Sequence, residues 1–330
     1  YRLIVMIYDN ITTSSSSGSS PTGQFSDDQI LQLDHIVYVT SALGCVGSLF
    51  IILSFSIFKE ARSFATTLIF YLSISDLMSA LSYLPFGRTS NALCNAQGAG
   101  LLFFLTSSYL WTMCISISLF MVFFLNRYEL GHLLKWFHLV CWGVPSVTTL
   151  ISLIAGAFGQ FGSWCFIADP TSTIRLFYYL PLVFVFFVNL FVFICIRLKI
   201  SQHSNSIVSR VNIIVSFYLV AFALSQLPTV INSIQTFSDP KHPLFPLFVF
   251  QLLLQPLQGF FNCIVYGVNE GFIMHYIEFF EKHICRCRKS REMKEIDVDQ
   301  ERLLVDYDNS DEESAPLGID NELIIDDYSI

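Results

Sequence analysis

The chain has 330 residues, 53% of them hydrophobic and only 13% charged, against about 25% charged in an ordinary soluble domain. Its mean hydropathy of +0.58 makes water a poor solvent for most of it, and no G-X-Y or heptad period points to a fibrous class. The net charge of −8 sits in a tail, because Glu295 to Ile330 holds thirteen of the 26 acidic residues and one basic residue, Arg302.

Residues 1–33 read as an extracellular, Ser-rich N-terminus. Asn10-Ile11-Thr12 fits the glycosylation acceptor pattern, and the Thr12 to Ser20 run beside it reads as a flexible stalk. Tyr1 to Tyr8 leave a signal remnant open.

Residues 34–270 carry the apolar mass. A bilayer core about 30 Å thick needs roughly 20 apolar residues per helix, and seven windows supply them, near 35–58, 64–86, 95–125, 134–157, 176–199, 211–235 and 246–268. The expected fold is all-α, a seven-transmembrane-helix bundle whose short connections force antiparallel neighbours. Hydroxyls inside the spans, such as Thr106, Ser107, Ser108 and Thr112, can bond their own helix or a neighbour.

Lys and Arg divide fourteen to four between the two sides of such a bundle. That asymmetry puts the C-terminus in the cytoplasm and the N-terminus outside. Plasma-membrane localisation is the matching expectation.

Residues 271–289 follow as a membrane-surface segment. Phe272, Tyr276, Phe279, Phe280 and Ile284 recur at helical spacing, an amphipathic eighth helix lying on the inner leaflet. Cys285 and Cys287 at its end, among Arg and Lys, are palmitoylation candidates; unmodified thiols are the alternative. Residues 290–330 are the acidic tail, expected to be disordered. Leu303 and Leu304 after Asp299 and Glu301 have the spacing read by endocytic adaptors, and a solvated acidic tail is the competing reading.

Of the nine Cys, Cys94 and Cys165 are the two that this topology exposes to an oxidising compartment. A bridge between them would pin the loop between helices four and five across the extracellular mouth.

Asp76 is the one carboxylate well inside a window. Burying it costs about 2.5–3.5 kcal/mol on insertion scales, so it should face the bundle and be hydrogen-bonded or protonated. Its expected partners are Gln258, Asn262 and the nearby Ser73 and Ser75. A polar switch or ion site between helices two and seven, and a satisfied structural group, both fit. Pro228 in helix six removes a backbone bond, which suits a hinge or static packing alike.

Leu72-Ser73-Ile74-Ser75-Asp76-Leu77, Cys141-Trp142-Gly143-Val144-Pro145, and Leu257-Gln258-Gly259-Phe260-Phe261-Asn262 with Tyr266 occur in that order. Together they resemble helices two, four and seven of the cyclic-AMP-receptor-like G-protein-coupled receptors and their secretin-related orphan neighbours. The stretch Trp136-Phe137-His138 before Trp142, Gly143 and Pro145 also recurs there. The resemblance implies a receptor that passes an extracellular ligand signal to a heterotrimeric G protein. A short N-terminus without Cys departs from the large hormone-binding ectodomain of secretin-type receptors. Asn126-Arg127-Tyr128 resembles the Asp-Arg-Tyr of rhodopsin-like receptors but lies 33 residues beyond Cys94. Arg127 is therefore read as an inner-leaflet anchor before a G-protein contact.

For ligand contact, Tyr83, Arg88, Tyr109, Trp111, Trp164, Phe166 and Arg175 lie near the outer half, and Arg88 or Arg175 could meet an anionic ligand. Aromatic side chains in that zone also form interface belts. A small-solute transporter is the competing class, yet it would want several intramembrane charges and broken helices. An enzyme would want a nucleophile or metal cluster, and the seven His are scattered without a His-Glu-x-x-His spacing. No metal, cofactor or nucleic-acid partner is expected.

Overall fold

The computed structural model describes residues 25–59, 62–84, 86–127, 129–161, 164–169, 172–201, 206–240, 242–269 and 276. At 88, 200, 201, 206–220 and 266–269 it describes the backbone alone. The expected surface helix, Cys285, Cys287, the acidic tail and Asn10 lie outside the described residues.

The helices are α1 (Asp27–Ile57), α2 (Phe64–Tyr83), α3 (Asn91–Leu125), α4 (Leu134–Ile154), α5 (Leu176–Ser201), α6 (Ser206–Ser238), α7 (Phe245–Leu254) and α8 (Gln258–Asn269). Their ends have local causes. Ser26 accepts from the Gln29 amide while the Gln29 side chain accepts from the Ser26 amide, a capping box that opens α1. Ser63 and Thr66 repeat it for α2. Asn126 closes α3 in the left-handed conformation at φ 50°, a position that Asn tolerates.

Among the described residues, five helices are long and apolar enough to cross a membrane, and the pair α7–α8, bent by 42°, adds a sixth if counted as one span. Helix α6 has 33 residues, about 50 Å at 1.5 Å per residue, which also exceeds a bilayer core. The break in the last pair falls at Gln255-Pro256-Leu257, because Pro has no N–H to donate and disfavours helix before it.

The bundle buries an apolar core with polar groups set within it, and its outer face is apolar. On α5, Leu180, Phe184, Phe187 and Phe191 are each at least 60% exposed, and this stripe at helical spacing suits hydrocarbon. Buried instead are Ser41, Ser48, Ser73, Ser75, Thr106, Ser107, Ser108 and Thr112. Three of these hydroxyls, on Ser73, Ser75 and Thr112, bond carbonyls of their own helix, Thr112 to that of Ser108 at 3.0 Å, and Ser75 also meets Ser107 across α2 and α3 at 3.0 Å.

Close helix approach needs small residues. A Cβ added to Gly47 of α1 would sit 2.5 Å from the Cα of Phe260 in α8. Gly259 faces the same seam, where a Cβ would meet Ser48 and the Gly44 carbonyl.

One connection differs from the plain loop expected between α4 and α5. Strands β1 (Phe158–Phe161) and β2 (Trp164–Ile167) form an antiparallel hairpin, pairing Phe158 with Ile167 and Phe161 with Trp164. Four-residue strands are too short for periodicity to announce them. Packing decides instead: all of β2 is buried, with Trp164 against Tyr83 and Phe248 at ring distances of 6.2 and 6.1 Å.

Candidate functional site

The centre of the bundle holds a chain of side-chain hydrogen bonds. The Ser108 hydroxyl on α3 donates to Asp76 Oδ1 on α2 at 2.6 Å, and Asn262 Nδ2 on α8 donates to Asp76 Oδ2 at 2.7 Å. Gln258 Nε2 on α8 donates to the Ser108 hydroxyl at 2.8 Å, and Gln226 Nε2 on α6 donates to Gln258 Oε1 at 2.6 Å. All five residues are buried. Helices α2, α3, α6 and α8 therefore meet through one relay, two residues from Pro228 of α6.

A second polar layer lies towards the hairpin. Tyr83 OH of α2 donates to Gln255 Oε1 at 2.6 Å, and Gln255 Nε2 donates to Tyr109 OH of α3 at 2.5 Å and to Tyr178 OH of α5 at 3.2 Å. Gln251 Nε2 also reaches Gln255 Oε1, at 3.1 Å, and Asn232 Nδ2 of α6 donates to Gln251 Oε1 at 2.6 Å. Gln255 stands at the α7–α8 break and so joins the bend to α2, α3 and α5, and through Gln251 to α6.

The hairpin closes this end. Cys94 in the first turn of α3 is bridged to Cys165 of β2, with Cα atoms 5.2 Å apart. Beside it the buried Gln97 donates to the Ser82 and Leu84 carbonyls and accepts from the Cys165 amide at 3.0 Å. Arg175 holds the C-terminal end of the same strand: Nε and Nη2 donate to the Ile167 carbonyl at 3.2 and 2.7 Å, Nη1 donates to Tyr179 OH at 3.2 Å, and the guanidinium lies 4.3 Å from the Phe161 ring.

Other residues singled out in the sequence fall as follows. Tyr109 joins the second layer, and Arg175 lines a cavity under the hairpin. Trp111 is fully buried beside Tyr71, His138 and Trp142, with ring centroids 5.2, 5.1 and 6.0 Å away, outside that cavity's lining. Trp142 Nε1 donates to His138 Nδ1 at 3.1 Å, and Pro145 is buried within α4. A Cβ on Gly143 would meet only Leu139, at 3.9 Å. Exposed Arg127 stands just past the end of α3. The side chains of Arg88 and Tyr266 lie outside the described residues, as do Leu303 and Leu304.

Sequence reasoning passed over Gln97, Gln226, Asn232, Gln251 and Gln255. A signal was present for two of them: Gln251, Gln255, Gln258 and Asn262 recur at helical spacing along an otherwise apolar segment, which marks an inward polar stripe.

The family described as slime mold cyclic AMP receptor matches residues 24–287. The chain belongs to that family. It is 68% identical over 307 residues to Cyclic AMP receptor-like protein A of Dictyostelium discoideum, covering 92% of this chain and 83% of that protein. It is 30% identical over 248 residues to G-protein coupled receptor 1 of Arabidopsis thaliana, covering 70% and 76%. G-protein coupled receptor 157 of Mus musculus matches at 33% over 144 residues, 40% and 43% of the two chains. The resemblance read from three motifs between Leu72 and Tyr266 thus extends over most of the chain. Membership makes this a helical membrane receptor in outline, and its relatives are named as receptors rather than as enzymes.

Proposed function

We propose that this receptor is a seven-span G-protein-coupled receptor of the plasma membrane, with its N-terminus outside and its C-terminus in the cytoplasm. An extracellular ligand favours a state in which the cytoplasmic half of α6 is displaced, and a heterotrimeric G protein binds that state more tightly. The observation that carries this reading is the relay from Gln226 through Gln258 and Ser108 to Asp76 and Asn262, since it ties α6 to α2, α3 and α8.

The magnitudes agree. A buried hydrogen bond contributes about 0.5–1.5 kcal/mol net, and the coupling between two ligands is typically about 1–3 kcal/mol. Releasing Gln226 from Gln258 and rearranging one further bond is within a ligand's reach. Pro228 supplies the hinge, because the carbonyl four residues before it lacks a backbone donor.

Several peripheral roles belong to the same proposal. Arg127 anchors at the inner leaflet and offers a G-protein contact, Arg88, Tyr109, Trp111 and Arg175 are the pool of ligand contacts, and residues 271–289 lie on the inner leaflet with Cys285 and Cys287 palmitoylated. Asn10 is glycosylated, and Leu303 and Leu304 recruit endocytic adaptors.

The test is nucleotide exchange on a panel of purified G proteins with the full chain in lipid nanodiscs. Exchange above the G protein alone is expected on at least one partner and should change in a Gln226→Leu variant. Solute uptake by proteoliposomes, with no exchange on any partner, would replace the receptor mechanism with a transporter.

A further inference from the structure

Two cavities lie side by side at the hairpin end of the bundle. The first, about 30 Å³, is bordered by Arg175, Asn232 and Gln251 among aromatic rings, and such a volume holds on the order of one or two waters. The second, about 150 Å³, lies between α5 and α6 with an apolar open surface, and Val183, Val230, Ile234 and Phe237 are among its walls. Tyr179 and Ser233 line both.

The small cavity has unmet polar demand. Arg175 is 1% exposed, and its hydrogen bonds go to neutral oxygens, the Ile167 carbonyl and Tyr179 OH. Asp169 adds negative charge through space, and the bonds do not exhaust the guanidinium's donors. Asn232 is 3% exposed, and its Oδ1 has no hydrogen-bond partner among the described residues. A buried cation calls for a compact anionic group, and the orphaned Asn232 oxygen calls for an O–H beside it, supplied by the remaining hydroxyl of a phosphate monoester or by a water held with a carboxylate.

A whole ligand does not fit in that volume, which takes only the charged oxygens at the tip of a head group. The remainder of the ligand must pass Tyr179 and Ser233 into the neighbouring groove, whose apolar walls Ile234 and Phe237 are 59% and 52% exposed. We propose that this receptor binds a single-chain anionic amphiphile, its carboxyl or phosphate-monoester head at Arg175 and Asn232 and its chain in the groove between α5 and α6, arriving sideways from the bilayer. The chain extends from the groove into lipid, so the groove need accommodate only its first part. The inference names a ligand class for the proposed function and rests on that function for the signalling consequence alone.

The test uses the full chain in phosphatidylcholine nanodiscs, with radiolabelled oleate and radiolabelled oleoyl lysophosphatidate as separate probes. Saturable binding of at least one probe is expected, and comparing the two assigns the head as carboxylate or phosphate. Oleyl alcohol should compete at least tenfold more weakly than the bound anion, and acetate and inorganic phosphate should not compete at millimolar concentration. Val183→Trp fills the groove without touching the hairpin and should weaken binding at least tenfold with thermal unfolding unchanged. Arg175→Gln should abolish binding; because Arg175 also anchors β2, Val183→Trp decides if that variant does not fold. Absence of saturable binding for both probes, equal binding of the alcohol, or wild-type binding by a folded Val183→Trp overturns the proposal. Lipid binding without nucleotide exchange on any G protein removes the receptor mechanism and leaves the site, whereas exchange driven by another ligand with no lipid binding does the reverse.

Discussion

Gln258 Nε2 donates to the hydroxyl of Ser108 at 2.8 Å, and that same hydroxyl donates to Asp76 at 2.6 Å. One serine on α3 thereby serves both the carboxylate of α2 and the amide of α8. Because Gln258 also accepts from Gln226, a change at α6 reaches Asp76 through two side chains.

Gln258→Leu removes both bonds and strands the Gln226 amide in an apolar interior. Each buried group left unsatisfied costs about 1–3 kcal/mol. The variant is expected to unfold several degrees lower in nanodiscs, and its basal nucleotide exchange should differ from wild type. A double-mutant cycle of Gln226→Leu with Gln258→Leu should give a coupling energy of about 0.5–3 kcal/mol, and additive effects would argue against the relay.

Asp76→Ala leaves the Ser108 hydroxyl and the Asn262 amide without their acceptor. A loss of about 2–6 kcal/mol is expected from two stranded donors, read as reduced thermal stability. Asp76→Asn keeps an acceptor for Ser108 but sets its amide against the Asn262 amide, so it should fall between wild type and Asp76→Ala.

Cys165→Ser opens a bridge that spans a sequence separation of 71. Disulfides stabilise by about 2–4 kcal/mol, chiefly by restricting the unfolded chain. The hairpin keeps the Gln97 and Arg175 bonds, so the variant should still fold but unfold at lower temperature. A reductant should lower the wild type similarly and leave the variant unchanged.

Gly47→Val places a branched side chain against the backbone of α8. Overpacking typically costs about 1–3 kcal/mol, and rigid backbone on the far side puts this position at the upper end. Reduced surface expression and thermal stability are expected, with Gly143→Ala as a near-neutral control because space is open there.

Asp76 was legible because a carboxylate within a stretch as apolar as Leu68 to Tyr83 is conspicuous; of the amides expected beside it, Asn262 bonds the carboxylate directly and Gln258 reaches it only through Ser108. Of the two serines suggested as its neighbours, Ser73 instead bonds the Ile69 carbonyl and Ser75 meets Ser107. The serine that reaches the carboxylate is Ser108, 32 residues away on another helix. Arg175 was picked out for its charge, yet nothing along the chain announced that it would grip the Ile167 carbonyl eight residues upstream.

What the amino-acid order determined alone is the solvent: runs of about 20 apolar residues select hydrocarbon, and helix follows because lipid offers the backbone no other partner. The carboxylate out of place was equally a local property. Tertiary structure alone decided the rotation of each helix about its axis, and so which hydroxyls, amides and phenols meet. Among helices already buried in lipid the hydrophobic effect supplies little preference between faces. Packing at small residues such as Gly47 and Gly259 and the pairing of polar groups across the seams set those rotations, and such pairings join positions as distant as Asp76 and Asn262.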